Sequence, residues 1–287
     1  MFEIVYQFDP TGCHTPQMPS NAAEARQRLE EGNRSFAVDL DPTTLTTPVR
    51  KVFRVNADEL GLPTPDGQPP IQQPFAAILG CADARVPTEI VFGQGCNDIF
   101  VVRVAGNVLG SECLGSIDYA LANLGEHLRL VVVLGHSGCG AVTAAVDSFL
   151  DPARYLAFAP SHPLRAIVDR LMVPVRAAHK AIETTWSPQA SEKPGYRRAL
   201  IETTVGLNAA LTAATIRQEL RDQIGPEREV VYGVYDLITR RVGVAVGIPG
   251  GCHYSPGLVN PPTDLTGFDH LGIAIATSPP VSDLLRN

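Results

Sequence analysis

The sequence predicts an α/β fold, a mostly parallel β-sheet flanked by helices with an antiparallel hairpin at its C-terminal edge. Three observations lead there. Three short apolar runs, residues 75–80 (FAAILG), 99–104 (IFVVRV) and 130–134 (LVVVL), are bounded by glycine or polar residues and read as strands buried on both faces. A helical stretch, GSIDYALANLGEHL, separates the second run from the third, so strand, helix and strand form a right-handed βαβ unit. Near the C-terminal side, EVVYGVYDL, a short turn at 238–240 and RVGVAVG read as a hairpin.

Along the chain, the first 20 residues look irregular. Asn21 followed by Glu24 is a helix start, a capping residue with an acid three positions on. The helix runs through EARQRLEEGNRSFA and points Ala25, Leu29 and Phe36 inward. Residues 39–74, rich in Pro, Thr and Asp, read as an extended arm and loop. After the third strand, GHSGCGAVTAAVDSFL is a glycine-bearing turn that opens a helix. Residues 151–225 are mostly helical: Pro174 is expected to break LRAIVDRLMVPVRAAHKAI, and a further helix fits YRRALIETTVGLNAALTAATIRQEL. The tail after Gly250 is rich in Pro and Gly and is expected to run irregularly over the surface or a partner. The expected organisation is one domain over 1–287, with an N-terminal arm at 1–71 and a C-terminal extension at 251–287.

Composition narrows the function. With 45% hydrophobic and 18% charged residues, the 287-residue chain can bury a sizeable core. A net charge of -7 without a basic stripe argues against nucleic acid as a partner. The apolar runs look too short for the roughly 20 residues that span a bilayer, so no membrane partner is expected. The start, MFEIVYQFDPTGCH, lacks the basic region of a secretory signal, and a cytoplasmic location is expected. Six scattered cysteines are too dilute for a disulfide scaffold and read better as core thiols, metal ligands or redox sites.

Two motifs carry chemistry. CADARVP places Cys81, Asp83 and Arg85 at alternate positions just beyond the first apolar run. GHSGC places His136 and Cys139 at the end of the third, three residues apart across a glycine turn. Thiolates and imidazole are natural zinc ligands, and sites in open parallel sheets gather at the C-terminal ends of strands. Cys81, His136 and Cys139 can therefore converge on one ion. Either motif alone has bland readings, a buried free cysteine or a surface ion pair. Each at the end of an apolar strand, the two together point to a metal site.

CADARVP, FVVRVAGN, GSIDYA and VVVLGHSGCGAV, in this order and spacing, resemble the β class of carbonic anhydrases; the resemblance spans most of residues 20–250 and is densest over 72–146. It implies that fold, one Zn2+ per chain held by Cys81, His136 and Cys139, and reversible hydration of CO2 to bicarbonate by a zinc-bound hydroxide. It implies catalytic roles for Asp83, which accepts a hydrogen bond from that hydroxide, and for Arg85, which holds Asp83 off the metal. A bidentate guanidinium competes well for carboxylate oxygens. Gln72, Val86, Phe100 and Tyr119 match substrate-pocket positions of the plant-type members, and Gly106 and Asn107 also match. Pocket residues in that group are contributed across a subunit interface, so a homodimer or higher even oligomer is expected.

The loop VPTEIVFGQGCNDIF departs from the plant-type members, and residues 39–71 and the tail after 250 have no clear match. These segments are candidate docking surfaces for another protein. Cys96 and Cys113 match no ligand position, and Cys252 with His253 is a weak second metal pair. Two alternatives keep the zinc site. One is hydrolysis of COS or CS2; the other is a non-catalytic, zinc-stabilised binding or sensing module, against which the Asp83–Arg85 pair argues, because a structural site has no use for a gate.

Overall fold

The computed structural model describes residues 2–9, 17–39, 49–56, 71–158, 160, 162–248 and 251–286. The elements are β1 (Phe2–Asp9), α1 (Ala22–Asp39), β2 (Val49–Asn56), β3 (Ala76–Gly80), α2 (Thr88–Phe92), β4 (Ile99–Arg103), α3 (Ser111–Asn123), β5 (Leu130–His136), α4 (Gly140–Leu150), α5 (Pro152–Phe158), α6 (His162–Trp186), α7 (Tyr196–Glu219), α8 (Arg221–Ile224), β6 (Glu229–Tyr235), β7 (Val242–Ile248), β8 (Gly251–Pro256), α9 (Leu265–Thr277) and α10 (Pro279–Arg286).

The main sheet has the order β4-β3-β5-β6-β7-β8. β4, β3, β5 and β6 are parallel, and β7 and β8 close the edge antiparallel. The three apolar runs are β3, β4 and β5, and the expected hairpin is β6–β7. Their near-continuous hydrophobicity follows from burial on both faces. Ala77, Leu79, Val131 and Val133 join one core cluster with residues of α3, α4, α6 and α7. Ala76, Ile78, Leu130, Val132 and Leu134 join the other with Ala25, Leu29 and Phe36 of α1 and Val91 and Phe92 of α2. The start of α1 is capped as the sequence suggests: Asn21 Oδ1 accepts the Glu24 N–H at 2.9 Å, and Glu24 Oε2 accepts the Ser20 N–H at 2.7 Å.

Four expectations need correction. The first 20 residues are not wholly irregular: β1 pairs in parallel with β2, which lies inside the segment read as an arm, to form a separate two-stranded sheet. Pro174 does not break α6, which continues through it. Val168 and Leu171 before the proline, and Val175, Ala178 and Ile182 after it, are all buried in one cluster, so packing on both sides holds the axis against the lost hydrogen bond. The tail after Gly250 folds. β8 extends the sheet, Asp264 caps α9 by accepting the Gly267 N–H at 2.8 Å, and Trp186 Nε1 of α6 donates to Ala276 O of α9 at 2.9 Å. Finally, α7 is long and apolar enough to cross a membrane by length and composition, but 78% of its apolar window is buried in the fold. It is a core helix, packed on β5 and β6 and on helices α4, α6, α9 and α10.

Candidate metal centre

β3 and β5 are parallel neighbours in register, Gly80 opposite Leu134, so the segments leaving them emerge at the same sheet edge. Cys81 follows β3 directly, and His136 is the last residue of β5. The chain then reverses through Gly138, whose φ of 62° is in the left-handed region that glycine adopts without strain. Cys139 is the N-cap residue of α4. Beyond β4, the turn Ala105–Asn107 brings the Gly106 N–H to Cys81 Sγ at 3.3 Å.

One ligand atom each from Cys81, His136 and Cys139 lies within 4.8 Å of the others. The two sulfurs are 3.9 Å apart. All three residues are buried, His136 completely. His136 Nδ1 lies 3.0 Å from Ser137 O. A carbonyl only accepts, so Nδ1 is the donor and Nε2 keeps the lone pair. That Nε2 is buried and has no hydrogen-bond partner. An orphaned acceptor beside two buried thiols is costly unless an ion completes it.

Asp83 sits at the rim. Arg85 donates to it through Nε at 3.0 Å, Nη2 at 2.7 Å and its backbone N–H at 2.9 Å. Asp83 Oδ2 is 3.7 Å from His136 Nε2. Arg103, at the end of β4, donates to Cys81 O at 3.0 Å and to Asp83 O at 2.5 Å, pinning the backbone of the loop.

The carbonic anhydrase family profile matches residues 76–240, more than half of the chain. The chain belongs to the β-carbonic anhydrase family. Carbonic anhydrase 2 of Mycobacterium tuberculosis is 48% identical over 100 residues, 35% of this chain and 45% of that protein. The carbonic anhydrase of Mycolicibacterium smegmatis is 46% identical over 110 residues, 38% of this chain and 50% of that one. The chain thus spans about half the length of these curated relatives. A solved Coccomyxa β-carbonic anhydrase is similar at 21% identity, covering 62% of this chain and 75% of that one, with a TM-score of 0.42.

The metal of β-carbonic anhydrases is zinc, and the residues present fit it. Two sulfurs and an imidazole are a zinc donor set. The 3.9 Å between sulfurs is close to the edge of about 3.8 Å that Zn–S bonds of about 2.3 Å produce in a tetrahedron.

The electrostatics agree with this carbonic anhydrase site. The neighbouring Cys139 pulls the Cys81 thiol well below its ordinary range, with help from His136 and the Gly106 N–H and against burial. The Cys81 sulfur and burial push Cys139 up, although the Val142 and Ala141 N–H groups at the start of α4 work the other way. Two sulfurs share one proton, which a dication replaces. Burial alone would lower the His136 imidazole, but the bond and charge of Cys81 raise it on balance. Arg85 holds the Asp83 carboxyl well below the usual carboxylate range.

The predicted pocket residues are placed differently from the ligands. Val86 is buried in the core cluster that holds α1 and α2. Phe100, on β4, is partly buried against the other cluster. Gln72 is exposed just before β3, and Tyr119, on α3, is 52% exposed. Among the described residues, no side-chain hydrogen bond ties Gln72 or Tyr119 to the Cys–His–Cys group. Cys113 is a buried core thiol of α3. Cys13 and the side chains of Cys252 and His253 lie outside the described residues. A separate cavity of about 1070 Å3 between α6, α7 and α9 includes none of the site residues.

Sequence reasoning missed Arg103, Glu202 and Asn208. Each had a signal: Arg103 is a cation ending an apolar strand, and Glu202 and Asn208 are polar residues in the otherwise small and apolar run ALIETTVGLNAAL.

Proposed function

We propose that this chain catalyses the reversible hydration of CO2 to bicarbonate, with zinc held by Cys81, His136 and Cys139. The observation that carries this reading is the unpartnered, fully buried Nε2 of His136 beside two buried sulfurs, with the Arg85-clamped Asp83 carboxylate 3.7 Å away. When bound, zinc supplies the Lewis acidity that makes water a nucleophile near neutral pH. Asp83 stays ionised and accepts a hydrogen bond from the reacting water, orienting its lone pair toward carbon. Arg85 occupies both Asp83 oxygens, which keeps the carboxylate from becoming a further ligand. A purely structural zinc centre takes four protein ligands, whereas only three gather here among the described residues.

Val86 and Phe100 form apolar walls for an uncharged substrate, and Gln72 and Tyr119 complete the pocket in a homodimer. The exposure of Gln72 and Tyr119 in the single chain supports that assembly. The whole chain acts as one unit in the cytoplasm, its terminal segments being available to a docking partner. Stopped-flow CO2 hydration at pH 7 to 9 with zinc-loaded, reduced protein tests the activity, with COS turnover measured in parallel. One zinc per chain with no CO2 hydration overturns the reading.

A further inference from the structure

Two polar side chains of α7 reach the loops of the metal centre from behind. Asn208 is 4% exposed, and its Nδ2 donates to Gly106 O at 2.9 Å. The same residue's N–H donates to Cys81 Sγ at 3.3 Å. Gly106 has little freedom: its φ is 68°, and a Cβ there would stand 3.1 Å from Ala141 Cβ and 3.3 Å from Leu171 Cδ1. Glu202, six positions earlier on α7, accepts the Gly138 N–H at 3.1 Å, inside the turn between His136 and Cys139. One helix therefore touches both halves of a site whose ligands come from separate loops.

We propose that Asn208 and Glu202 are positioning residues for the metal, with α7 as the template that sets the register of Cys81 against His136 and Cys139. The inference rests on the reading of those three residues as ligands. A thiolate that receives an N–H is oriented by it and loses charge density to it, so the donor's placement tunes the bond to the ion. Asn208 fixes that donor by holding the opposite end of the Gly106 residue. Glu202 fixes the backbone between the other two ligands. Buried polar groups on α7 need not act this way. Thr203 and Thr204 are equally buried, and their hydroxyls donate to Ala199 O at 2.8 Å and Leu200 O at 2.7 Å within their own helix. They are built-in controls.

The test is zinc affinity by chelator competition, with the thiolate-to-metal charge-transfer band of Co2+-substituted protein as a second readout. Asn208→Ala and Glu202→Leu are expected to weaken zinc by about 10- to 100-fold and to shift the cobalt band. Glu202→Gln keeps the accepting oxygen and is expected to stay within about threefold of the parent, and Thr204→Val to match it. The proposal is overturned if Asn208→Ala and Glu202→Leu bind zinc as tightly as the parent, or if Thr204→Val weakens it as much as they do. Should Asn208→Ala fail to fold, Glu202→Leu, at a partly buried position, decides alone. A parent protein that binds no zinc sinks the ligand reading itself; a parent that binds zinc alongside unaffected variants sinks only the bracing role.

Discussion

The Asp83 carboxylate and the Arg85 guanidinium meet through two parallel hydrogen bonds, 3.0 and 2.7 Å long, although only one residue separates them in the chain. The pair leaves Asp83 Oδ2 3.7 Å from His136 Nε2, near enough to reach a metal once the clamp is gone. Arg85→Ala is expected to retain one zinc per chain, to gain an oxygen ligand in X-ray absorption, and to lose about 10- to 100-fold in hydration rate as the open position closes.

Asp83→Asn is the complementary change. It removes the charged acceptor but keeps the side chain's size. Zinc content is expected to be unchanged while hydration falls by about 10²- to 10⁴-fold, the range for loss of a positioned proton acceptor. Zinc analysis and stopped-flow rates on the same preparation check both halves.

Zinc binds only the folded arrangement, so it stabilises by linkage. Chelation is expected to leave a folded protein, because both core clusters form without the ion, but one that melts several degrees lower. Cys139→Ser is expected to abolish stoichiometric zinc and to make melting insensitive to chelator. Calorimetry with and without chelator measures this directly.

Asp147 of α4 accepts from Arg197 of α7 at 2.6 and 2.9 Å and from Arg154 at 3.2 Å. Arg197 lowers its pKa from the ordinary 3.8. A lowered folded-state pKa means the stabilisation is present above the unfolded value and is lost as pH falls through the folded one. Arg197 is half exposed, so the contribution is about 0.5–1 kcal/mol. Asp147→Asn is expected to melt below the parent at pH 7, with the gap closing under acid, below the normal carboxylate range. Melting curves at stepped pH show whether it closes.

Gly106→Ala combines a left-handed backbone with crowding against Ala141 and Leu171. A cost of about 1–3 kcal/mol follows from the strain. The Gly106 N–H also shifts away from Cys81, so zinc affinity is expected to fall together with the melting temperature. A variant that melts lower yet binds zinc unchanged separates the two effects.

Much was legible in the residues. Buried strands β3 and β5 are continuous apolar runs because both faces are covered, and the cap at Asn21 and Glu24 is local chemistry; both can be seen without tertiary information. The ligands were legible for a related reason: CADAR and HSGC each follow a strand end, where parallel sheets place their sites. Nothing local announced β1, β2 or β8, because pairing partners lie far along the chain and the tail's prolines and glycines mask the pattern. Pro174 looked like a break because its cost is local, whereas the packing that offsets it comes from distant elements.

The chemistry of the ligand atoms belongs to the residue types: two thiols and an imidazole suit zinc in any fold that brings them together. Their mutual distance, the orphaned His136 Nε2, the Arg103 anchor and the hold of Asn208 and Glu202 on the loops depend on how β3, β4 and β5 and helix α7 meet. Local sequence can specify donors and turns, because those are short-range interactions. The register between loops separated by more than 50 residues is set by packing, and only the folded chain contains it.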